Sequence, residues 1–121
     1  MITKVGTVGV YVDDQHKSVE FWTTKLGFEI RNRTDMQNGS FWLEVAPAGA
    51  ETCLVLYPRS LMPNYRELKP SVVFHCQDID RYCAGLKEKG VVFTRELAPL
   101  PWGKFASFRD EDGNEFGLRG N

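Results

Sequence analysis

Two histidines, three cysteines and a few aromatic, hydroxyl and guanidinium side chains are the groups in this 121-residue chain from which chemistry could be built. His75 ends the run Ser71-Val72-Val73-Phe74-His75, where strand alternation puts it on one face with Ser71 and Val73. A histidine so placed can exchange a proton near neutral pH or contact a ligand. His16 falls in a first helical turn and is expected to be exposed. Cys53, Cys76 and Cys83 lack Cys-x-x-Cys spacing, so neither a metal cluster nor a disulfide framework is expected, and a reducing cytoplasm fits. Ser71 and Thr7 have no Ser-His-Asp arrangement around them, which leaves nucleophilic catalysis without support. The same alternation groups Thr7, Gly9 and Tyr11; Cys53, Val55 and Tyr57; and Glu115, Gly117 and Arg119. Arg31, Arg33 and Arg119 could meet an anionic group or pair with surface acids. Glu115 would be a base if buried, but its place beside Asp112-Gly113-Asn114 predicts that it is solvated.

These side chains must be held by short strands and two helices. Val5–Val12 is β-rich and ends in Asp13-Asp14, and Asp14 can cap a helix over Gln15–Leu26 that Gly27 stops. Val19, Phe21, Trp22 and Leu26 fall near one helix face, with Phe21 and Trp22 read as core. Strands follow over Phe28–Arg33, Phe41–Val45 and Thr52–Tyr57, with a turn at Asp35–Gly39 and a loop through Pro47 and Gly49. Residues 58–70 carry three prolines and read as a linker. Ser71–Cys76 is a strand, Asp78 caps a helix over Ile79–Lys89, and Gly90 closes it. Val91–Glu96 and Lys104–Arg109 are strands around a proline-rich loop, Ala98–Gly103. A tight Asp112-Gly113-Asn114 turn leads to a last strand, Glu115–Arg119.

The order β-α-β-β-β therefore occurs twice. Thr7 and Ser71, and Asp14 and Asp78, are each 64 positions apart, and Gly27 and Gly90 are 63 apart. Two copies of about 60 residues are each marginal alone, so the expectation is one α+β domain, 1–121, of two modules (about 1–58 and 70–121). Lysine and arginine total 15 against 16 acids, for a net charge of -1, which argues against a nucleic-acid partner. No apolar run reaches the roughly 18 residues needed to span a bilayer, and no signal-peptide pattern is present. No membrane partner is expected.

Three patches carry a family likeness. They are Val10-Tyr11-Val12-Asp13-Asp14 with Phe21-Trp22 and Leu26-Gly27-Phe28; Pro101-Trp102-Gly103; and Phe108-Arg109-Asp110-Glu111-Asp112-Gly113-Asn114. With the doubling, they make the whole chain resemble the vicinal oxygen chelate superfamily of glyoxalase I, bleomycin-resistance proteins, fosfomycin-resistance enzymes and extradiol dioxygenases. The resemblance implies two βαβββ modules forming a curved mixed sheet, or cup. It also implies a homodimer, with module exchange between chains left open. Metal-dependent members carry a ligand on the first and fourth strand of each module, usually His or Gln and then Glu. Carried over by register, those positions are Thr7, Val55, Ser71 and Gly117, none of which suits a divalent ion. A one-residue slip would only turn neighbouring side chains to the other face. No metal and no cofactor is therefore expected.

In that setting the alternating sets line the cup, and the Pro-Trp-Gly loop brings Trp102 near its rim. Tyr11, Tyr57, Ser71, His75, Trp102, Glu115 and Arg119 are the expected ligand contacts, with Trp42 a further candidate. A mixed aromatic and polar lining suits a flat or amphipathic organic molecule. The leading expectation is a metal-free small-molecule-binding protein of the bleomycin-resistance type. The alternatives are a metal-dependent lyase, isomerase or dioxygenase with displaced ligands, or a non-catalytic interaction module presenting Leu61, Met62 and Tyr65.

Overall fold

The computed structural model describes residues 1, 5–64, 67–101 and 103–121. The chain divides into two compact units, Met1–Lys69 and Pro70–Asn121. Each is a four-stranded mixed sheet, so the α+β class and the paired βαβββ modules expected from the sequence are what the structure shows.

In the first unit β1 (Thr7–Val12) leads to α1 (Gln15–Glu20) and a π-helical turn (Phe21–Lys25), then β2 (Glu29–Asp35), β3 (Phe41–Ala46) and β4 (Cys53–Pro58). The sheet order is β1-β4-β3-β2, with β1 and β4 parallel and the other pairs antiparallel. Asp14 caps α1 as expected, accepting from the Lys17 backbone N–H at 3.2 Å. The helix expected to reach Leu26 changes character after Glu20. The Thr23 hydroxyl donates to the Val19 carbonyl at 2.7 Å, and Leu26 N–H reaches back five residues to Phe21. Threonine back-bonding of this kind competes with the backbone ladder and favours a widened turn. Phe21, Trp22 and Leu26 end up buried, with the first two rings 5.5 Å apart. On the sheet, Val10, Val12, Leu43, Val45, Leu54 and Leu56 are buried. Trp22 is completely buried; burying a large side chain stabilises by about 1.5–3 kcal/mol. Beyond β4 a 3-10 turn spans Arg59–Leu61.

The second unit repeats the plan with β5 (Val72–His75), α2 (Ile79–Glu88), β6 (Val92–Leu100), β7 (Gly103–Arg109) and β8 (Glu115–Gly120), in the order β5-β8-β7-β6. Its core joins Ile79, Cys83, Leu86 and Val91 to Ala106, Phe108, Phe116 and Leu118. The Phe108 and Phe116 rings stack at 5.6 Å. Gly120 permits the start of α2 to approach the sheet, since a Cβ there would meet the Cys76 carbonyl oxygen at 2.6 Å.

Two local expectations need correction. Asp78 stands at the start of α2 but its side chain caps nothing; the residue is left-handed (φ 51°, ψ 55°) and its carboxylate lies 3.9 Å from Arg81. The proline-rich loop expected at Ala98–Gly103 is largely strand, because β6 continues to Leu100. Pro99 is tolerated because β6 is an edge strand, where a missing N–H breaks no essential ladder bond.

Candidate functional site

Each sheet has its helix on one face, and alternation sends the chemically interesting side chains to the other. In the first unit the strand register makes two rows across that face. One row runs Gly9, Val55, Glu44, Asn32 from β1 to β2. Tyr11 and Tyr57 pair in the next, and Trp42 and Thr34 pair beyond them. The three rings of this second row interlock edge to face. Tyr11 and Tyr57 have centroids 6.4 Å apart at 86°, and Tyr57 and Trp42 are 6.1 Å apart at 71°. Edge-to-face pairs of this spacing add about 0.5–1.5 kcal/mol beyond area burial, so the rings hold one another in place. Gly9 leaves room for Tyr11 to fold back, since a Cβ at position 9 would lie 3.2 Å from the Tyr11 hydroxyl oxygen. Trp42 is 36% exposed, and its indole N–H donates to Glu44 Oε2 at 3.2 Å. An aromatic wall thus stands beside an oriented carboxylate.

The second unit uses the same positions for different chemistry. One row runs Val73, Gly117, Ser107, Arg95, and the next runs His75, Arg119, Phe105, Ala98. The Phe105 ring lies over Gly117, where an added Cβ would be 2.8 Å from Cζ and 3.2 Å from the Val73 methyl. The Arg95 guanidinium stands 5.6 Å from the centre of the same ring. Glu115 lies opposite Arg109 and is exposed.

Of the expected ligand contacts, Tyr11 and Tyr57 come together in the first unit, with Trp42 joining them. His75 and Arg119 lie opposite each other in the second, both exposed; Ser71 just precedes β5 and is exposed, as is Glu115. Trp102 and Tyr65 lie outside the described residues. Arg31 is committed elsewhere: it pairs with Glu29 at 3.2 Å and donates to the Pro47 and Ala50 carbonyls. Arg33 stacks on Phe41 at 4.4 Å. Glu44, Arg95, Phe105 and Ser107 were not singled out from sequence. Alternation within Phe41–Val45 and Lys104–Arg109 carried the signal for Glu44, Phe105 and Ser107; the irregular register of β6 hid Arg95.

Two thiols are poorly suited to nucleophilic work. Burial, then Asp78, raises the Cys76 pKa, and burial pushes Cys83 up to about 11. Both stay protonated near neutrality. A groove of about 260 Å³ runs along α2, lined by Gln77, Asp78, Arg81, Tyr82, Gly85, Leu86 and Lys89. It is smaller than the roughly 300–1,000 Å³ of ordinary ligand pockets. Among the described residues no helix is long and apolar enough to cross a membrane.

Known proteins share this architecture. The family model for the glyoxalase/bleomycin resistance protein/dioxygenase superfamily matches residues 4–118. The uncharacterized protein YetH of Bacillus subtilis (strain 168) is 48% identical over 119 residues, covering 98% of this chain and 99% of that one. Among solved structures, a superfamily member from Sphaerobacter thermophilus DSM 20745 is similar with a TM-score of 0.90 and 30% identity, covering 99% of this chain and 98% of that one. TnmS3, an antibiotic binding protein from Streptomyces sp. CB03234, is similar with a TM-score of 0.87 and 35% identity, covering 98% and 96%. With the doubled βαβββ unit and a match across nearly its whole length, the chain belongs to the glyoxalase/bleomycin resistance protein/dioxygenase superfamily.

Proposed function

We propose that this protein is a metal-free small-molecule-binding protein that holds a planar aromatic or amphipathic organic ligand against the helix-free face of a βαβββ sheet. The observation that carries this reading is the interlocked Tyr11–Tyr57–Trp42 wall beside Glu44. Such a wall offers stacking area at low entropic cost, because its rings are already fixed by one another. The likeness to TnmS3, described as an antibiotic binding protein, supports the same reading. Tyr11, Tyr57, Ser71, His75, Trp102, Glu115 and Arg119 are kept as proposed contacts, and Trp42 and Glu44 join them.

The positions that hold metal in metal-dependent members do not fit one. Thr7 and Ser71 offer exposed neutral hydroxyls, Val55 a buried isopropyl group, and Gly117 no side chain beneath the Phe105 ring. A divalent ion needs imidazole, thiolate or carboxylate donors to displace its water. No reaction step is assigned. The proposal extends to one domain of two modules, 1–121, acting as a homodimer in the cytoplasm; the free thiols of Cys53, Cys76 and Cys83 agree with a reducing compartment.

The test is elemental analysis of protein purified without chelator, followed by titration with N-phenyl-1-naphthylamine, read by its fluorescence. Saturable binding near one probe per chain without bound metal is expected. One divalent ion per chain, retained through dialysis, would make a metal-dependent lyase, isomerase or dioxygenase the better account.

A further inference from the structure

The two sheets present opposite chemistry at matching positions. On the first, the row Gly9–Val55–Glu44–Asn32 ends in a carboxylate and an amide and holds no cation. On the second, the corresponding row ends in Arg95, and the next row places Arg119 between His75 and Phe105. No carboxylate occurs in either row of the second sheet; Glu115 lies beyond them, opposite Arg109.

We propose that the Arg95–Phe105–Arg119 face of the second unit is an anion seat, which makes the preferred ligand an aromatic molecule bearing a carboxylate, sulfonate or similar group. This rests on the small-molecule-binding reading above and names the ligand class. Phe105 is the organising residue. Its ring fills the space left by Gly117, and two guanidinium groups lie near it, Arg95 over the ring at 5.6 Å from its centre and Arg119 opposite it in register. A guanidinium at cation–π distance from a ring spends no N–H donor on a ring acceptor, and its planar fork matches carboxylate and sulfonate geometry. The Ser107 hydroxyl, between Gly117 and Arg95 in register, adds a neutral donor. Val73, 52% exposed, supplies an apolar patch beside Phe105 for the ligand's ring system. The same cations oppose a divalent metal at Gly117, adding electrostatic repulsion to the missing donors.

Two fluorescent probes with one skeleton test the proposal: 8-anilino-1-naphthalenesulfonate, which is anionic, and N-phenyl-1-naphthylamine, which is neutral. Each is titrated at low and high salt into the wild type and into Arg95→Gln, Arg95→Lys and Arg119→Gln, with circular dichroism confirming that each variant is folded. The wild type is expected to favour the sulfonate, with the preference shrinking as salt rises. Arg95→Gln should weaken the sulfonate by about tenfold while leaving the neutral probe within about twofold, and Arg119→Gln should weaken the sulfonate by more than it weakens the neutral probe. Arg95→Lys should keep part of the preference. Equal binding of both probes, or equal losses for both in the Gln variants, would overturn the anion seat and leave the binding reading standing. Failure of both probes to bind the wild type would remove both.

Discussion

The Gln15 side chain and the Phe41 backbone exchange two hydrogen bonds: Phe41 N–H donates to Gln15 Oε1 at 3.1 Å, and Gln15 Nε2 donates to the Phe41 carbonyl at 2.7 Å. The same amide nitrogen also donates to the Leu56 carbonyl at 2.8 Å. One side chain in the first turn of α1 thereby ties the start of β3 to β4. Replacing it with alanine leaves part-buried backbone groups unmet. Gln15→Ala should cost about 1–3 kcal/mol, read as a lower urea midpoint with an unchanged slope.

The Phe105 ring over Gly117 makes a second forecast. Gly117→Glu would restore the carboxylate that metal-dependent relatives use, yet its Cβ would start 2.8 Å from the ring. Overpacking of that kind costs about 1–3 kcal/mol. The variant should therefore be less stable and still retain no divalent ion after dialysis. Stoichiometric metal in Gly117→Glu would show that Phe105 moves aside readily.

Trp42 is exposed enough to be removed without opening the core. Trp42→Ala should weaken N-phenyl-1-naphthylamine by roughly three- to tenfold, with a smaller effect on thermal stability. An unchanged affinity would place the probe away from the Tyr11–Tyr57–Trp42 wall.

Alkaline stability follows from two weak acids, the buried Cys83 and the half-buried Tyr82. Burial raises Cys83 from 9.0 to about 11 and Tyr82 from 10.0 to about 12. Above pH 9 the unfolded chain loses these protons first, so it binds fewer protons than the folded chain and stability falls as pH rises. This contribution is fully present below the unfolded values and is lost progressively between about pH 9 and 12. Denaturation midpoints at pH 8, 10 and 11 should decline, and Cys83→Ala should flatten the first part of that decline.

Much of the fold was legible because hydrophobic alternation and punctuation agreed. Val8, Val10 and Val12 before Asp13-Asp14, the Asp14 cap and the Gly27 and Gly90 stops all pointed to the same doubled unit. The misses have local causes. The π-helical turn depends on a hydroxyl choosing the Val19 carbonyl, which no apolar period reveals. Asp78 carried the residue type of a cap but adopted left-handed backbone. Pro99 and Pro101 argued for a loop, and only the edge position of β6 explains why a strand survives there. Of the face opposite the helices, Tyr11, Tyr57, His75 and Arg119 were readable from the period of two. Arg95 was not, because two register irregularities separate it from the regular part of its strand pair.

The parallel partnership of β1 and β4 also sets a timetable. Thr7 pairs with Cys53, so during synthesis the first strand waits for about 46 further residues before its hydrogen-bonding neighbour exists. At roughly 5–20 residues per second, that interval is about 2–9 s. The helical run over residues 15–25 is too short to be stable alone, and the Phe41 and Leu56 carbonyls that anchor Gln15 are also made later. The nascent chain therefore spends those seconds with both edges of β1 unpaired, and this sheet cannot close until β4 arrives.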